Sequence, residues 1–200
     1  MITLYGMSSS GNCYKLQLAC AQLGIEHAWE EIDITRGENL SPEFLAMNDR
    51  GKVPVLKLDD GRTMSESNAI LNYLAQGSAL LPDDRWERAK VLQWLFFEQY
   101  SHEPYVAVAR FIQLYQGMPE ARREEYEVCH VRGHKAFRVM EQQLQRTPYL
   151  VGEQYTLADI ALYAYTHVAH EGGFVLSGYP AINAWLARIA SHPRHVTMFG

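Results

Sequence analysis

The sequence predicts two domains, an α/β layer domain followed by an all-helical one. Two observations carry this. Strand-like stretches occur only in the first eighty residues, where they alternate with helical patterns in the order βαβαββα, which gives helices packed on a small mixed sheet. Beyond the interruption Gly77-Ser78-Ala79-Leu80-Leu81-Pro82, every periodic segment has helical spacing. The expected boundaries are residues 1–76 for the α/β domain, 77–84 for the linker and 85–200 for the helical domain.

Each element has a local reason. Ile2–Gly6 is a short apolar strand. Leu16, Ala19, Cys20 and Leu23 then recur at helical spacing, and Gly24 stands where a helix ends in a left-handed residue. His27–Ile34 reads as a second strand. Ser41-Pro42-Glu43 opens a helix with a serine cap, a proline in the first turn and an acid beside the helix dipole. Val53–Leu58 reads as a strand, Asp59-Asp60-Gly61 as a turn, and Arg62–Met64 as an antiparallel partner. Ser67–Ala75 is helical, with Ile70, Leu71 and Leu74 on its apolar face. In the second domain, Trp86 to Tyr115 reads as one long helix, apolar on more than one face, that suits a bundle centre or a subunit contact. Glu120–Gln145 is a second long helix. Thr156-Leu157-Ala158-Asp159 has capping-box spacing and opens a helix to about Val168. Pro180–Ala190 is the last helix.

The bulk composition excludes several classes. At 48% hydrophobic and 20% charged, the 200 residues can fill a sizeable core. A net charge of −5 disfavours nucleic acid as the partner. No apolar run approaches the roughly 18 residues that span a bilayer, so no membrane role is expected. No basic, apolar leader precedes the first strand, and Cys13, Cys20 and Cys129 form no disulfide framework, so a cytoplasmic location is expected. No cysteine–histidine spacing suggests a metal site.

Three stretches carry candidate chemistry. In Ser8-Ser9-Ser10-Gly11-Asn12-Cys13, a strand runs into a helix. The free N–H groups and the dipole at such a junction favour an anion. Ser10 can donate a hydrogen bond to that anion or simply cap the helix, and Ser8 and Ser9 compete for either task. Ser10 to Cys13 has the spacing of a C-x-x-C pair with serine in the first place, so Cys13 is either a low-pKa thiol at a helix start or a packing residue. In Gly51-Lys52-Val53-Pro54-Val55-Leu56, the proline belongs at a sheet edge or a special bend. With a cis Val53–Pro54 bond, the Val53 N–H and C=O could pair with a ligand backbone as an added strand does. In Ser65-Glu66-Ser67, the pair Glu66 and Ser67 either caps a helix or holds the ammonium and carboxylate of an amino-acid headgroup. Together the stretches suit a peptide-like ligand that carries a thiol.

With "LYGMSSSGNCYKL", "GKVPVL", "SESNAILNYL" and "YTLADIALY" in this order, the chain resembles the cytosolic glutathione S-transferases, in particular bacterial, serine-type, theta- or zeta-like members, over nearly its whole length. The resemblance implies a thioredoxin-like N-terminal domain, an all-α C-terminal bundle, glutathione as co-substrate, no metal, and a homodimer. It implies Ser10 as the catalytic residue and Ser10, Lys52, Val53, Pro54, Glu66 and Ser67 as the glutathione-binding set. Lys52 is placed for the glycyl carboxylate. Only Arg36 and Asn39 are available for a further contact that several classes make there. The implied activity is conjugation of the glutathione thiolate to small hydrophobic electrophiles in a pocket between the domains, lined by Met7, Ser8, Tyr100, Tyr105 and Phe111. Two alternatives stand beside it: a glutathione-dependent disulfide reductase or peroxidase on the same fold, and a non-enzymatic interaction module.

The energetics of the implied mechanism close. Lowering a thiol pKa by about two units needs roughly 2.7 kcal/mol of preference for the thiolate. A hydroxyl hydrogen bond to a charged acceptor supplies about 1.5–3 kcal/mol. A helix N-terminus adds about 0.3–1 kcal/mol.

Overall fold

The computed structural model describes residues 1–198. The described chain divides into two compact units, one made of Met1–Ser78 and residues 194–198, the other of Ala79–Pro193.

The first unit is a four-stranded sheet with helices packed on it. Strand β1 (Ile2–Gly6) leads into α1 (Gly11–Leu23), then β2 (His27–Glu31), α2 (Pro42–Met47), β3 (Val55–Lys57), β4 (Thr63–Ser65) and α3 (Ser67–Leu74). The strand order is β2-β1-β3-β4. β1 runs parallel to β2 and antiparallel to β3, and β3 runs antiparallel to β4. The expected βαβαββα order and mixed sheet are therefore present. Leu4, Leu16, Ala19, Cys20, Leu56, Ile70 and Leu71 are fully buried and form the core of this unit.

The local signals act as their chemistry requires. Gly24 takes φ 68° and closes α1. Ser41 accepts a hydrogen bond from the Phe44 N–H and caps α2. The second strand is shorter than the expected His27–Ile34: the Asp33 side chain accepts from the Thr35 N–H and turns Ile34–Arg36 into a 3₁₀ segment. β3 is likewise confined to Val55–Lys57, and its partner lies one residue later than expected, at Thr63–Ser65. β3 is an interior strand, so Pro54 precedes the ladder at a bend rather than standing on an edge. The Val53–Pro54 bond is cis.

The second unit is helical: α4 (Arg85–Phe97), α5 (Glu103–Leu114), α6 (Arg123–Leu144), α7 (Leu157–Thr166) and α8 (Pro180–Ala190). The expected single helix from Trp86 to Tyr115 is interrupted. Glu98–His102 is a π-helical turn in which the Glu103 N–H donates to the Glu98 carbonyl five residues back. Pro104 follows directly, and a proline has no N–H with which to continue an α-helical ladder, so the winding changes where the ladder must break. α6 begins later than expected because Glu120–Arg122 is a 3₁₀ turn, and α7 ends at Thr166 rather than near Val168. The capping box is present. The Thr156 N–H donates to Asp159 Oδ2 at 2.9 Å, while the Leu150 N–H and Trp185 Nε1 donate to Oδ1 at 2.9 Å each. Burial pushes the Asp159 carboxyl up to about 6 against these hydrogen bonds. Among the described residues, no helix is long and apolar enough to cross a membrane.

Candidate active site

Sheet register brings the three chemical stretches to one end of the first unit. Tyr5 lies opposite Val55, and Val55 lies opposite Ser65. The chain leaves β1 just beyond Tyr5, enters β3 just before Val55 and leaves β4 at Ser65. Ser8–Ser10, Val53–Pro54 and Glu66–Ser67 are therefore continuations of one cross-strand row. Far apart in sequence, they share one sheet end.

The first stretch is held tightly. A Cβ on Gly6 would lie 2.7 Å from Trp29 and 2.9 Å from Cys13 Sγ, so glycine is needed where the strand meets the helix. Ser8 is committed to Glu31: its N–H donates to Oε1 at 2.8 Å and its hydroxyl to Oε2 at 2.5 Å. Partial burial works against the Glu31 charge, but hydrogen bonds from Ser8 and Trp29 hold its carboxyl below the usual range. Ser10 occupies the N-cap position of α1, and its carbonyl accepts from the Tyr14 N–H at 2.9 Å, yet its side chain makes no capping hydrogen bond. The neighbouring Cys13 sulfur accepts from the Met7 N–H at 3.4 Å, and hydrogen bonding from Ser10 acts to lower its thiol pKa. Cys13 itself is fully buried, and burial pushes its thiol up to about 11 despite these bonds. Of the two readings of Cys13, the structure favours packing, since a thiol held that high is protonated at neutral pH. Cys20 and Cys129 are buried and free as well.

At the second stretch, the Val53 N–H and C=O meet no protein partner among the described residues. Neighbouring groups fix the loop: Asn48 Nδ2 donates to the Lys52 carbonyl and Asn39 Nδ2 to the Gly51 carbonyl, each at 2.7 Å. Asn39 thus has a structural task, whereas the side chains of Lys52 and Arg36 are exposed.

The third stretch starts α3. Glu66 has φ 71° and ψ 106°, a conformation that L-residues rarely adopt. Its side chain does not cap the helix but forms an ion pair with Arg50. Ser67 is buried, and its hydroxyl lies 3.2 Å from the ammonium of Lys15, which donates to it, and 3.4 Å from Asn12 Oδ1. Lys15 is fully buried and also donates to Asn12 Oδ1 at 2.7 Å.

The helix starts distinguish this sheet end. α1 and α3 have neither a side-chain cap nor an acidic residue in the first turn. An uncapped terminal field of this kind favours an anion.

The remaining expected residues have varied surroundings. Met7 is half-buried. Tyr100 lies on the π turn and is 83% exposed. Tyr105 has the Arg132 guanidinium 5.5 Å over its ring, and Phe111 packs on Tyr115 at 5.4 Å. A groove of about 210 Å³ in the helical unit, bounded by Trp94, Phe97 and Val139, includes none of the residues singled out from the sequence. Among the described residues, no group of three or more His, Cys, Asp or Glu side chains is placed to hold a metal. Sequence reasoning singled out Asn12 near the thiol site but missed Lys15, Glu31 and Arg50. The signal for Lys15 was present: it stands three residues after Asn12, on the same helix face.

Comparison with known proteins is consistent along the chain. Residues 4–80 match the family model of the glutathione S-transferase N-terminal domain, and residues 93–193 match that of the C-terminal domain. A crystal structure of a glutathione S-transferase from Pseudomonas fluorescens is 61% identical, with a TM-score of 0.98 over 100% of this chain and 99% of the other. A glutathione transferase from Phanerochaete chrysosporium, solved with oxidised glutathione, is 25% identical, with a TM-score of 0.87 over 96% and 92% of the two chains. Disulfide-bond oxidoreductase YfcG of Escherichia coli is 30% identical over 96% of this chain and 92% of its own.

Proposed function

Since the chain belongs to the glutathione S-transferase family, we propose that it binds glutathione at the sheet end carrying Ser10, Val53 and Glu66 and joins its thiolate to small hydrophobic electrophiles. The observation that carries this reading is the pair of uncapped helix starts at that sheet end. Glutathione has an anion for each: the thiolate for α1 and the γ-glutamyl carboxylate for α3.

The roles follow from the groups available. The Ser10 side chain does not cap α1, so its one hydroxyl hydrogen can turn to a ligand thiolate presented from outside. A hydrogen bond to a charged acceptor supplies about 1.5–3 kcal/mol, enough to lower a thiol pKa by one to two units. The Val53 N–H and C=O pair with the cysteinyl backbone beside Pro54. The Glu66 carboxylate takes the γ-glutamyl ammonium, and Ser67 with the first N–H groups of α3 takes the carboxylate. Lys52 meets the glycyl carboxylate. Once ionised, the thiolate attacks an electrophilic carbon, the carbon–sulfur bond forms, and the leaving group departs with its electron pair. This chemistry asks for no metal.

A homodimer accompanies the reading. Leu92 and Phe96, four residues apart on α4, are 37% and 73% exposed, and such apolar exposure on one helix face suits a second copy. A cytoplasmic location suits the three free, buried cysteines. The test of the main reading is calorimetry with glutathione followed by a haloarene assay. Binding with conjugation supports it; absence of glutathione binding would leave only the non-enzymatic interaction module.

One observation favours a second reading, disulfide reduction with glutathione as the thiol: the E. coli relative is named a disulfide-bond oxidoreductase. The same bound thiolate would then attack a disulfide sulfur and release a thiolate. Assaying a small disulfide beside the haloarene separates the two by which substrate is turned over faster.

A further inference from the structure

The most unusual buried group in the first unit is a cation that the roles above leave unused. Lys15 lies on α1 one turn past the start of the helix, with 0% of its surface exposed. Burying an ammonium requires hydrogen-bond partners in the protein. Its partners include Asn12 Oδ1 at 2.7 Å and Ser67 Oγ at 3.2 Å. Lys15 thus links the start of α1 to the start of α3, beneath both helix ends that have no cap of their own.

We propose that Lys15 is a positioning residue for the α-carboxylate of the γ-glutamyl group, acting through Ser67. This rests on the glutathione reading above. Lys15 donates to the Ser67 oxygen, so the inner lone pair of the hydroxyl is occupied and its hydrogen must turn elsewhere. Its one protein acceptor among the described residues is Asn12 Oδ1 at 3.4 Å, longer than the usual 2.5–3.0 Å for O–H···O, and that oxygen already accepts the shorter bond from Lys15. The Ser67 hydrogen is therefore ready for an acceptor at the start of α3. An incoming carboxylate takes it and meets the positive field of a buried ammonium behind it. Buried charges are screened little by salt, in contrast to the exposed Arg50–Glu66 pair. Lys15 also fixes the choice of ligand: a carboxylate is favoured at this place over a neutral group of the same size.

The alternative is that Lys15 only bolts α1 to α3. A matched pair of ligands separates these roles: glutathione, and the analogue in which a 4-aminobutanoyl group replaces γ-glutamyl and so lacks only the α-carboxylate. Calorimetry on wild type, Lys15→Met and Lys15→Arg gives the preference for glutathione over the analogue in each. The expected result is a preference reduced about tenfold in Lys15→Met, the scale of one charge-assisted hydrogen bond. Affinity for the analogue should be nearly unchanged, and Lys15→Arg should recover most of the preference. An unchanged preference, or equal weakening of both ligands, overturns the proposal. If Lys15→Met does not fold, the ammonium resonance of Lys15 in the wild-type protein decides. It should shift with glutathione and not with the analogue; equal shifts, or none, overturn the proposal. Wild-type protein that binds no glutathione overturns the functional reading itself, whereas an intact preference in Lys15→Met overturns only the role of Lys15.

Discussion

The two units treat the same physical problem in opposite ways. A helix start presents unpaired N–H groups and a positive field. In the helical unit, the chain supplies the anion. Asp84 accepts from the Trp86 and Glu87 N–H groups at the start of α4. Asp159 closes the start of α7. Glu141, from α6, accepts from the Ala181 and Ile182 N–H groups in the first turn of α8. In the α/β unit, α2 is capped by Ser41, but α1 and α3 are not capped by a side chain. Ser10 and Glu66 stand at the two N-cap positions, yet neither side chain caps its helix, and Glu66 pairs with Arg50 instead. At α1 and α3 the first turn also holds no acid, which leaves the field open in the way the proposed ligand requires.

The largest expected effect breaks the satisfied side. Asp159→Ala removes the acceptor of the Leu150 and Thr156 N–H groups and of Trp185 Nε1, all inside a fully buried region. A loss of about 3–5 kcal/mol is expected in denaturant unfolding. A loss below 1 kcal/mol would mean that these donors find other partners.

A smaller effect reads the same group through pH. The native Asp159 carboxyl titrates at about 6, above its unfolded value, so the folded protein binds this proton more tightly. Its contribution to stability is full below about pH 4 and is lost as the pH rises through about 6, a change of roughly 2–3 kcal/mol. Unfolding free energies of wild type and Asp159→Asn across this range should diverge by that amount, with the wild type falling relative to the variant as pH rises. Parallel profiles would remove the shift.

The smallest effect sits on the ligand side and has the opposite sign. Glu66 holds a positive φ that glycine adopts freely. Glu66→Gly loses an exposed ion pair worth little and relieves backbone strain, so a gain of up to about 1 kcal/mol in stability is expected together with weaker glutathione binding. Loss of both stability and binding would show that Glu66 is structural and would blur the contrast between the units.

Legibility in the sequence followed the range of the interactions. Gly24, Ser41-Pro42, the Thr156–Asp159 box and Pro180 each act within one turn, and each marks the helix boundary expected of it. The end of β2 was misjudged because the apolar Ile32 and Ile34 continue the strand pattern, while the Asp33 side chain redirects the backbone. The π turn was missed because the aromatic run continues through it, and only Pro104 signals the change of winding. The serine, proline and glutamate of the candidate site were legible as motifs. Their partners were not: Arg50 reaches Glu66 across 16 residues, Ser67 reaches Lys15 across 52, and Glu141 reaches α8 across 40. Such contacts are set by packing, which local spacing does not encode.

On the proposed reading, the free field at the start of α1, with the Ser10 hydroxyl, serves a thiolate that belongs to the ligand. This role is tested most directly by titrating the thiolate absorbance of glutathione bound to wild type and to Ser10→Ala. The bound thiol should titrate well below the free value of about 8.5 in the wild type and one to two units higher in Ser10→Ala, with affinity for glutathione nearly unchanged. An equal pKa in the two proteins would contradict this role.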